Sequence, residues 1–171
     1  MRYLLDKVLR EWGQEIATLY PVAPGYSLQE RVARGLTGFG GEQPVRIGNA
    51  AVSQRQNDVY GAIVLIATQM FWDRRRPQLG GRALYEEPRP IATVAERIGL
   101  DPDAGLWEYR GRSRCHTFSA PMCGAAVHRV GRIALLLGII EDAAEWFNRI
   151  EELRQPVLAR CRCQGGCPWR A

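Results

Sequence analysis

Cysteine is the residue type in this 171-residue chain whose spacing most strongly suggests chemistry. Cys161, Cys163 and Cys167 lie within seven residues, beside a Gly-Gly turn that would let the backbone fold around one metal ion. Tetrahedral zinc needs a fourth ligand, which one of four other residues could supply: Cys115, His116, Cys123 and His128. The spacing is therefore compatible with a zinc site, and equally with a tail of unused thiols.

Two other uses of the cysteines fit the sequence less well. The chain has five cysteines, an odd number, which disfavours complete pairing in disulfide bonds. The charged N-terminus MRYLLDKVLREWGQEI does not resemble a signal peptide, and this also disfavours disulfide bonds. Cys115 and His116 are adjacent, but no local signature marks a nucleophile and its base. Reduced thiols that bind metal, or that bind nothing, remain the two interpretations.

Arginine dominates the basic residues and is unevenly distributed. The net charge is +5, with 23 basic residues of which only Lys7 is lysine, and no acid occurs between Tyr109 and Ile140. Arginine binds phosphate bidentately and stacks on bases, so this window favours a nucleic-acid surface over an ordinary solvated face. The arginines of the window are Arg110, Arg112, Arg114, Arg129 and Arg132.

Hydrophobic periodicity predicts about six helices and little strand. The expected helices cover residues 2–19, a short segment after the capping box SLQE (27–30), 58 to about 72, 91–100, about 119–138, and a last helix from 141 that Pro156 interrupts. The apolar stripe of the helix that begins at Asp58 predicts that Ile66 faces the core with Ile63 and Met70. The turn-rich segment 101–114 could form a small hairpin.

The segments IATVAERIGL (91–100) and AAVHRVGRIALLLG (125–138) follow the pattern of a helix-turn-helix, or of a plain helical hairpin. The predicted fold is mainly α: a compact helical domain over 1–157, whose helix-turn-helix-like pair at 90–138 resembles sigma region 4 and carries an insert at 101–118. A Cys-rich tail at 158–171 would be clipped by zinc onto 115–128. Arg129 and Arg132 share one side of the second helix by their i,i+3 spacing.

Four segments in this order resemble the Q-type late-gene antitermination proteins of lambdoid phages: VLREWG (8–13), DVYGAIVLIATQM, RPIATVAERIGL and VHRVGRIA. The resemblance implies a protein that binds double-stranded DNA at a late promoter. It would then load onto bacterial RNA polymerase paused with its sigma factor and allow transcription through terminators. We expect Arg129 and Arg132 to contact DNA, Arg110, Arg112 and Arg114 to contact phosphates, and no enzymatic chemistry.

Two other functions remain open from the sequence. A small protein-binding module, such as a phage inhibitor of a host enzyme, would use the apolar helices as its surface. A zinc-containing nuclease is the third alternative, although the carboxylates are scattered and form no acidic pair for magnesium. The apolar run IALLLGII (133–140) is too short to span a bilayer, so a cytoplasmic protein of the bacterial host is expected.

Overall fold

The computed structural model describes residues 15–23, 25–75 and 80–161. Most of the helix predicted over 2–19 lies outside these residues, and residues 15–19 are not helical. Cys163 and Cys167 also lie outside them, as does the side chain of Cys161. Residues 158–161 continue the last helix, and the rest of the predicted Cys-rich tail is not described, so the division at 157 stays a prediction.

The described residues divide into two compact units, of which the smaller is Ala17–Arg55. Its strands β1 (Arg31–Val32) and β2 (Arg46–Ile47) pair antiparallel. The helix predicted after SLQE is wrong, because the Ser27 hydroxyl accepts a hydrogen bond from the Gln29 N–H at 3.3 Å and the chain then enters β1. Serine supports such local turns as readily as it caps helices.

The larger unit begins at Gln56, together with the segment that ends at Ile16, and it is helical. Its helices are α1 (Asp58–Trp72), α2 (Arg82–Tyr85), α3 (Pro88–Ile98), α4 (Ser119–Leu136) and α5 (Ile140–Cys161). The mainly α class is therefore confirmed. Helix α4 packs against α1, α3 and α5, which makes it the central helix of the unit. The described residues include no helix long and apolar enough to cross a membrane.

Small residues allow α4 to lie close to its neighbours. A Cβ added at Gly61 of α1 would overlap the Met122 carbonyl group of α4. A Cβ at Gly131 of α4 would lie 3.1 Å from both Trp146 and Phe147 of α5. Closely packed helices leave little room for rearrangement, so the ends of these helices form a rigid base for the segment that joins α3 to α4.

The buried face of α1 is not quite the predicted one. Val64, Ala67 and Phe71 are at most 2% exposed and lie at the centre of this face. Ile63 and Met70 are buried as expected, but Ile66 is 40% exposed, so its predicted core position is wrong. Each residue advances about 100° around an α-helix, which places Ile66 well away from the centre of that face.

Candidate active site

The segment between α3 and α4 folds as a small hairpin-like loop, which we call the 101–118 loop. An isolated antiparallel bridge closes its base, with the Asp103 N–H donating to the Arg114 carbonyl group at 2.9 Å and the reverse bond at 3.0 Å. The loop therefore begins and ends at one place, beside the start of α4. This geometry agrees with the hairpin that the turn-rich sequence predicts.

The tip of the loop is a tight turn that holds one residue in an unusual conformation. The Glu108 N–H donates to the Gly105 carbonyl group at 3.0 Å, and Glu108 has a φ of 53°. It is the one non-glycine residue with positive φ in the described part of the chain. Such a conformation costs about 1–3 kcal/mol, persists only where the surroundings enforce it, and occurs preferentially at functional sites.

Aromatic side chains flank Glu108 on both sides in sequence. Trp107 is 79% exposed and Tyr109 is 42% exposed. The Tyr109 ring stacks on His116 with centroids 6.0 Å apart, and the Arg112 guanidinium group lies 5.3 Å from the centroid of the same ring. A carboxyl group whose neighbours in sequence are exposed aromatic residues can exchange a proton with a ligand that packs against those rings.

A polar cavity of about 300 Å³ lies on the same loop. It is lined by Tyr109, Arg112, Arg114, Cys115, His116 and Thr117. Gly105 is required beneath it, because its φ is +67° and an added Cβ would lie 2.7 Å from the His116 ring. Guanidinium and imidazole groups donate hydrogen bonds to hydroxyl groups and anions, so the cavity suits a polar ligand.

Asp103 anchors the base of the loop through its side chain as well as its backbone. Its carboxylate is buried, and Oδ2 accepts hydrogen bonds from the Asn57 N–H at 2.7 Å and from the Ser119 hydroxyl at 2.8 Å. Asn57 precedes α1 and Ser119 begins α4, so one carboxylate meets the N-termini of two helices. Helix N-termini favour negative charge, which offsets part of the cost of burying this group.

Asn57 and Cys123 complete the buried polar base. The Asn57 amide donates to the carbonyl groups of Ile98 at 3.0 Å and Asp101 at 3.1 Å, which ties the end of α3 to the start of α1. The Cys123 thiol donates to the Asn57 carbonyl group at 3.2 Å. Burial raises the pKa of the neighbouring Asp58 carboxyl, and the negative charge of Asp103 raises it further. These contacts fix the loop to the helical core.

The arginines predicted to bind DNA lie on two separate elements. Arg129 and Arg132 lie on α4. The other three are exposed on the 101–118 loop: Arg110, Arg112 and Arg114. Burial lowers the pKa of His128, and the charges of Arg129 and Arg132 lower it further. The sequence alone identified the basic character of the loop and its hairpin form, but not the conformation of its tip.

The predicted metal ligands are only partly described. Cys115 and His116 line the cavity, whereas Cys123 is fully buried in the base. No group of three His, Cys, Asp or Glu side chains that could hold a metal ion occurs among the described residues. Because Cys161, Cys163 and Cys167 contribute no described side chain, the zinc site stays a prediction.

We expect Cys115 to react with iodoacetamide much faster than Cys123 in the folded protein. Thiolate is the reactive form, and burial, followed by the charges of Asp103 and Asp58, raises the pKa of Cys123 to about 12. Peptide mapping by mass spectrometry after a short pulse of reagent would measure both rates. Protein unfolded in urea is the control, where the two rates should converge. Equal rates in the folded protein would contradict the buried position of Cys123.

Sequence reasoning missed three residues of this site: Trp107, Glu108 and Asp103. Trp107 is largely exposed, although large aromatic residues usually lie in a core. A weak signal was present, since Leu106, Trp107 and Tyr109 are large apolar residues in a segment otherwise rich in turn formers. Large apolar side chains in an exposed turn cannot all pack into a hydrophobic core. Their presence there suggests a surface that binds a ligand.

Comparison with known proteins identifies what the chain is similar to. It matches the model of Glycosyl hydrolases family 15 over residues 3–169. A trehalase of Mycolicibacterium smegmatis is 33% identical over 145 residues, which cover 85% of this chain and 21% of that protein. A trehalase of Thermoplasma volcanium is 28% identical over 157 residues, 92% of this chain and 24% of that protein. No solved structure is significantly similar.

The chain thus spans about a fifth to a quarter of the length of these curated relatives. The similarities contradict the resemblance to Q-type antitermination proteins. That resemblance depended on four short segments, whereas the family match covers nearly the whole chain. The predicted partners, double-stranded DNA, RNA polymerase and sigma factor, are therefore wrong. The expectation of a non-enzymatic protein is also contradicted, and the inhibitor and nuclease alternatives do not fit a family of glycosyl hydrolases.

Proposed function

Because the chain belongs to glycosyl hydrolases family 15, we propose that it takes part in hydrolysis of a glycosidic bond, with Glu108 as the proton donor. The observation that carries the proposal is the strained backbone of Glu108, between two exposed aromatic residues at the tip of the 101–118 loop. Glycoside hydrolysis commonly needs a carboxylic acid that protonates the leaving oxygen. An enforced backbone conformation fixes where such an acid points.

The neighbouring acids fit this role less well. Asp58 and Asp103 are buried, at 6% and 1% exposed, so neither is accessible to a sugar. Asp101 is exposed on the same loop, but its backbone has an ordinary φ and no large aromatic residue adjoins it in sequence. Glu108 therefore combines access to solvent with a position that the fold enforces.

The relatives named as trehalases suggest the class of substrate. Trehalose is an α-linked disaccharide of glucose, and each ring has an apolar C–H face and a rim of hydroxyl groups. The Trp107 ring can pack against the apolar face, and the guanidinium groups of Arg112 and Arg114 can donate to hydroxyl groups. We infer an α-glucoside of this type as the substrate.

The chemistry at the bond follows from these positions. Glu108 would transfer a proton to the glycosidic oxygen as the C–O bond breaks. The leaving sugar departs with a neutral hydroxyl group, while water supplies the new oxygen at the anomeric carbon and loses a proton to a carboxylate that acts as the base. The second carboxylate that such reactions use is not supplied by Asp58 or Asp103, because both are buried.

In this proposal α3 and α4 support the loop, and their helix-turn-helix-like order has no role in binding DNA.

The cytoplasmic location stays a prediction.

Glucose release from α,α-trehalose by the purified chain tests the proposal. We expect release from trehalose and little from cellobiose, whose linkage is β, because a site shaped for one anomer excludes the other. A coupled glucose assay would measure both. If protein shown to be folded by circular dichroism releases no glucose from trehalose or from other α-glucosides, the proposed activity of this chain is wrong.

A further inference from the structure

We propose that Asp103 is a positioning residue that holds the 101–118 loop so that Glu108 keeps the conformation needed for proton transfer. The inference rests on the proposed function of Glu108, and it adds a second residue, remote from the sugar, on which that function depends. Asp103 does not touch the substrate, since it is 1% exposed.

Asp103 connects the loop to the helical core at one point. Its backbone closes the loop against Arg114, and its Oδ2 atom accepts hydrogen bonds from Asn57 and Ser119. Hydrogen bonds to a buried charged group contribute more than those between neutral groups. Loss of this charge would therefore loosen the loop base from α1 and α4 together.

Contacts lead from the other carboxylate oxygen of Asp103 to the tip of the loop. Oδ1 of Asp103 accepts no hydrogen bond from the described residues and lies 3.9 Å from Nε2 of His116. The His116 ring packs against Gly105 and stacks on Tyr109. The Asp103 carboxylate thus contacts the ring that supports Tyr109, so a change at Asp103 would alter this stack.

Gly105 and Tyr109 lie on either side of Glu108 in the turn. The turn is closed by the Glu108 N–H bonded to Gly105 and by the Tyr109 N–H bonded to Ala104 at 3.3 Å. One end of the turn is thus fixed by the backbone of Asp103, and the other end is fixed by the stack of His116 on Tyr109. A strained residue persists only when its surroundings determine it in this way, so the conformation of Glu108 depends on Asp103.

The decisive variant is Asp103→Asn, which keeps the size of the side chain and removes its charge. We expect kcat for trehalose hydrolysis to fall roughly 10- to 100-fold with little change in KM, because the reacting group is misplaced while the sugar-binding surface remains. Hydrogen exchange of the backbone at 104–109 should become faster, with the middle of α4 unchanged. Glu152→Gln, at an exposed acid on α5, is the control and should leave kcat and exchange unaltered.

Ser119→Ala provides a milder test if Asp103→Asn does not fold. It removes one hydrogen bond to the same carboxylate and keeps the charge, so we expect a smaller fall in kcat and a smaller increase in exchange at 104–109. Unchanged exchange and kcat in a folded Asp103→Asn protein would overturn the inference, as would a rise in KM at constant kcat. Failure of the proposed function is distinguishable, since wild-type protein would then lack activity while the exchange comparison would still report on the anchor.

Discussion

Replacement of Glu108 by glutamine is expected to lower kcat for glycoside hydrolysis by roughly 10²–10⁴-fold, the usual contribution of a general acid. Glutamine has the shape of the acid and can occupy the same backbone position, but it cannot transfer a proton to the leaving oxygen. KM should change little, because the exposed Trp107 ring and the arginines of the cavity remain. Steady-state kinetics with trehalose would measure both parameters.

Glu152→Gln is the matched control for this prediction, because Glu152 is an exposed glutamate on α5, on a different element from the loop. It should retain wild-type kcat, and thermal unfolding should show that both variants are folded. A Glu108→Gln protein that keeps more than roughly a tenth of the wild-type kcat would be incompatible with a general acid at this position. The proton donor would then be a different group.

Replacement of Ile63 by alanine is expected to lower the free energy of unfolding by about 2–5 kcal/mol, through lost burial and the cavity left behind. Ile63 is 6% exposed on the inner side of α1. Urea denaturation monitored by circular dichroism would measure the change. The effect should be among the largest of any single truncation in this helix, because α1 packs directly against the central helix α4.

Ile66→Ala is the matched comparison, since it makes the same chemical change three residues further along the same helix. Ile66 is 40% exposed, so its truncation should cost no more than roughly 1 kcal/mol, closer to the range of surface substitutions. Equal losses at the two positions would show that α1 is oriented differently in solution. A larger loss at Ile66 would restore the orientation expected from the sequence.

Local signals predicted the helices of the larger unit well. The helix expected from Asp58 to about Trp72 is confirmed as α1, and the one expected from Ser119 is confirmed as α4. Such helices show in sequence because apolar side chains recur with the helical period wherever one face is buried. Pro156 was expected to interrupt the last helix, yet α5 continues through it to Cys161. A single proline lowers helix stability without always ending the helix.

The function was predicted wrongly because the properties used for it are shared by many classes of protein. A basic surface rich in arginine and a pair of amphipathic helices occur in DNA-binding proteins, but they also occur in enzymes. Neither property specifies a site, since function depends on the geometry of particular residues. The 101–118 segment was interpreted as an insert that interrupts a helix-turn-helix, whereas it carries the candidate active site.

The sequence by itself determined the helical class, the position of the central helices and the turn-rich character of the 101–118 loop, because each follows from neighbours along the chain. Only the tertiary structure decided that Asp103 meets Asn57, 46 residues earlier, and Ser119, 16 residues later. It also decided that Ile66 faces outward and that Glu108 has a positive φ. These features depend on contacts between distant residues and on a strained backbone that such contacts maintain, and no local pattern of side chains encodes them.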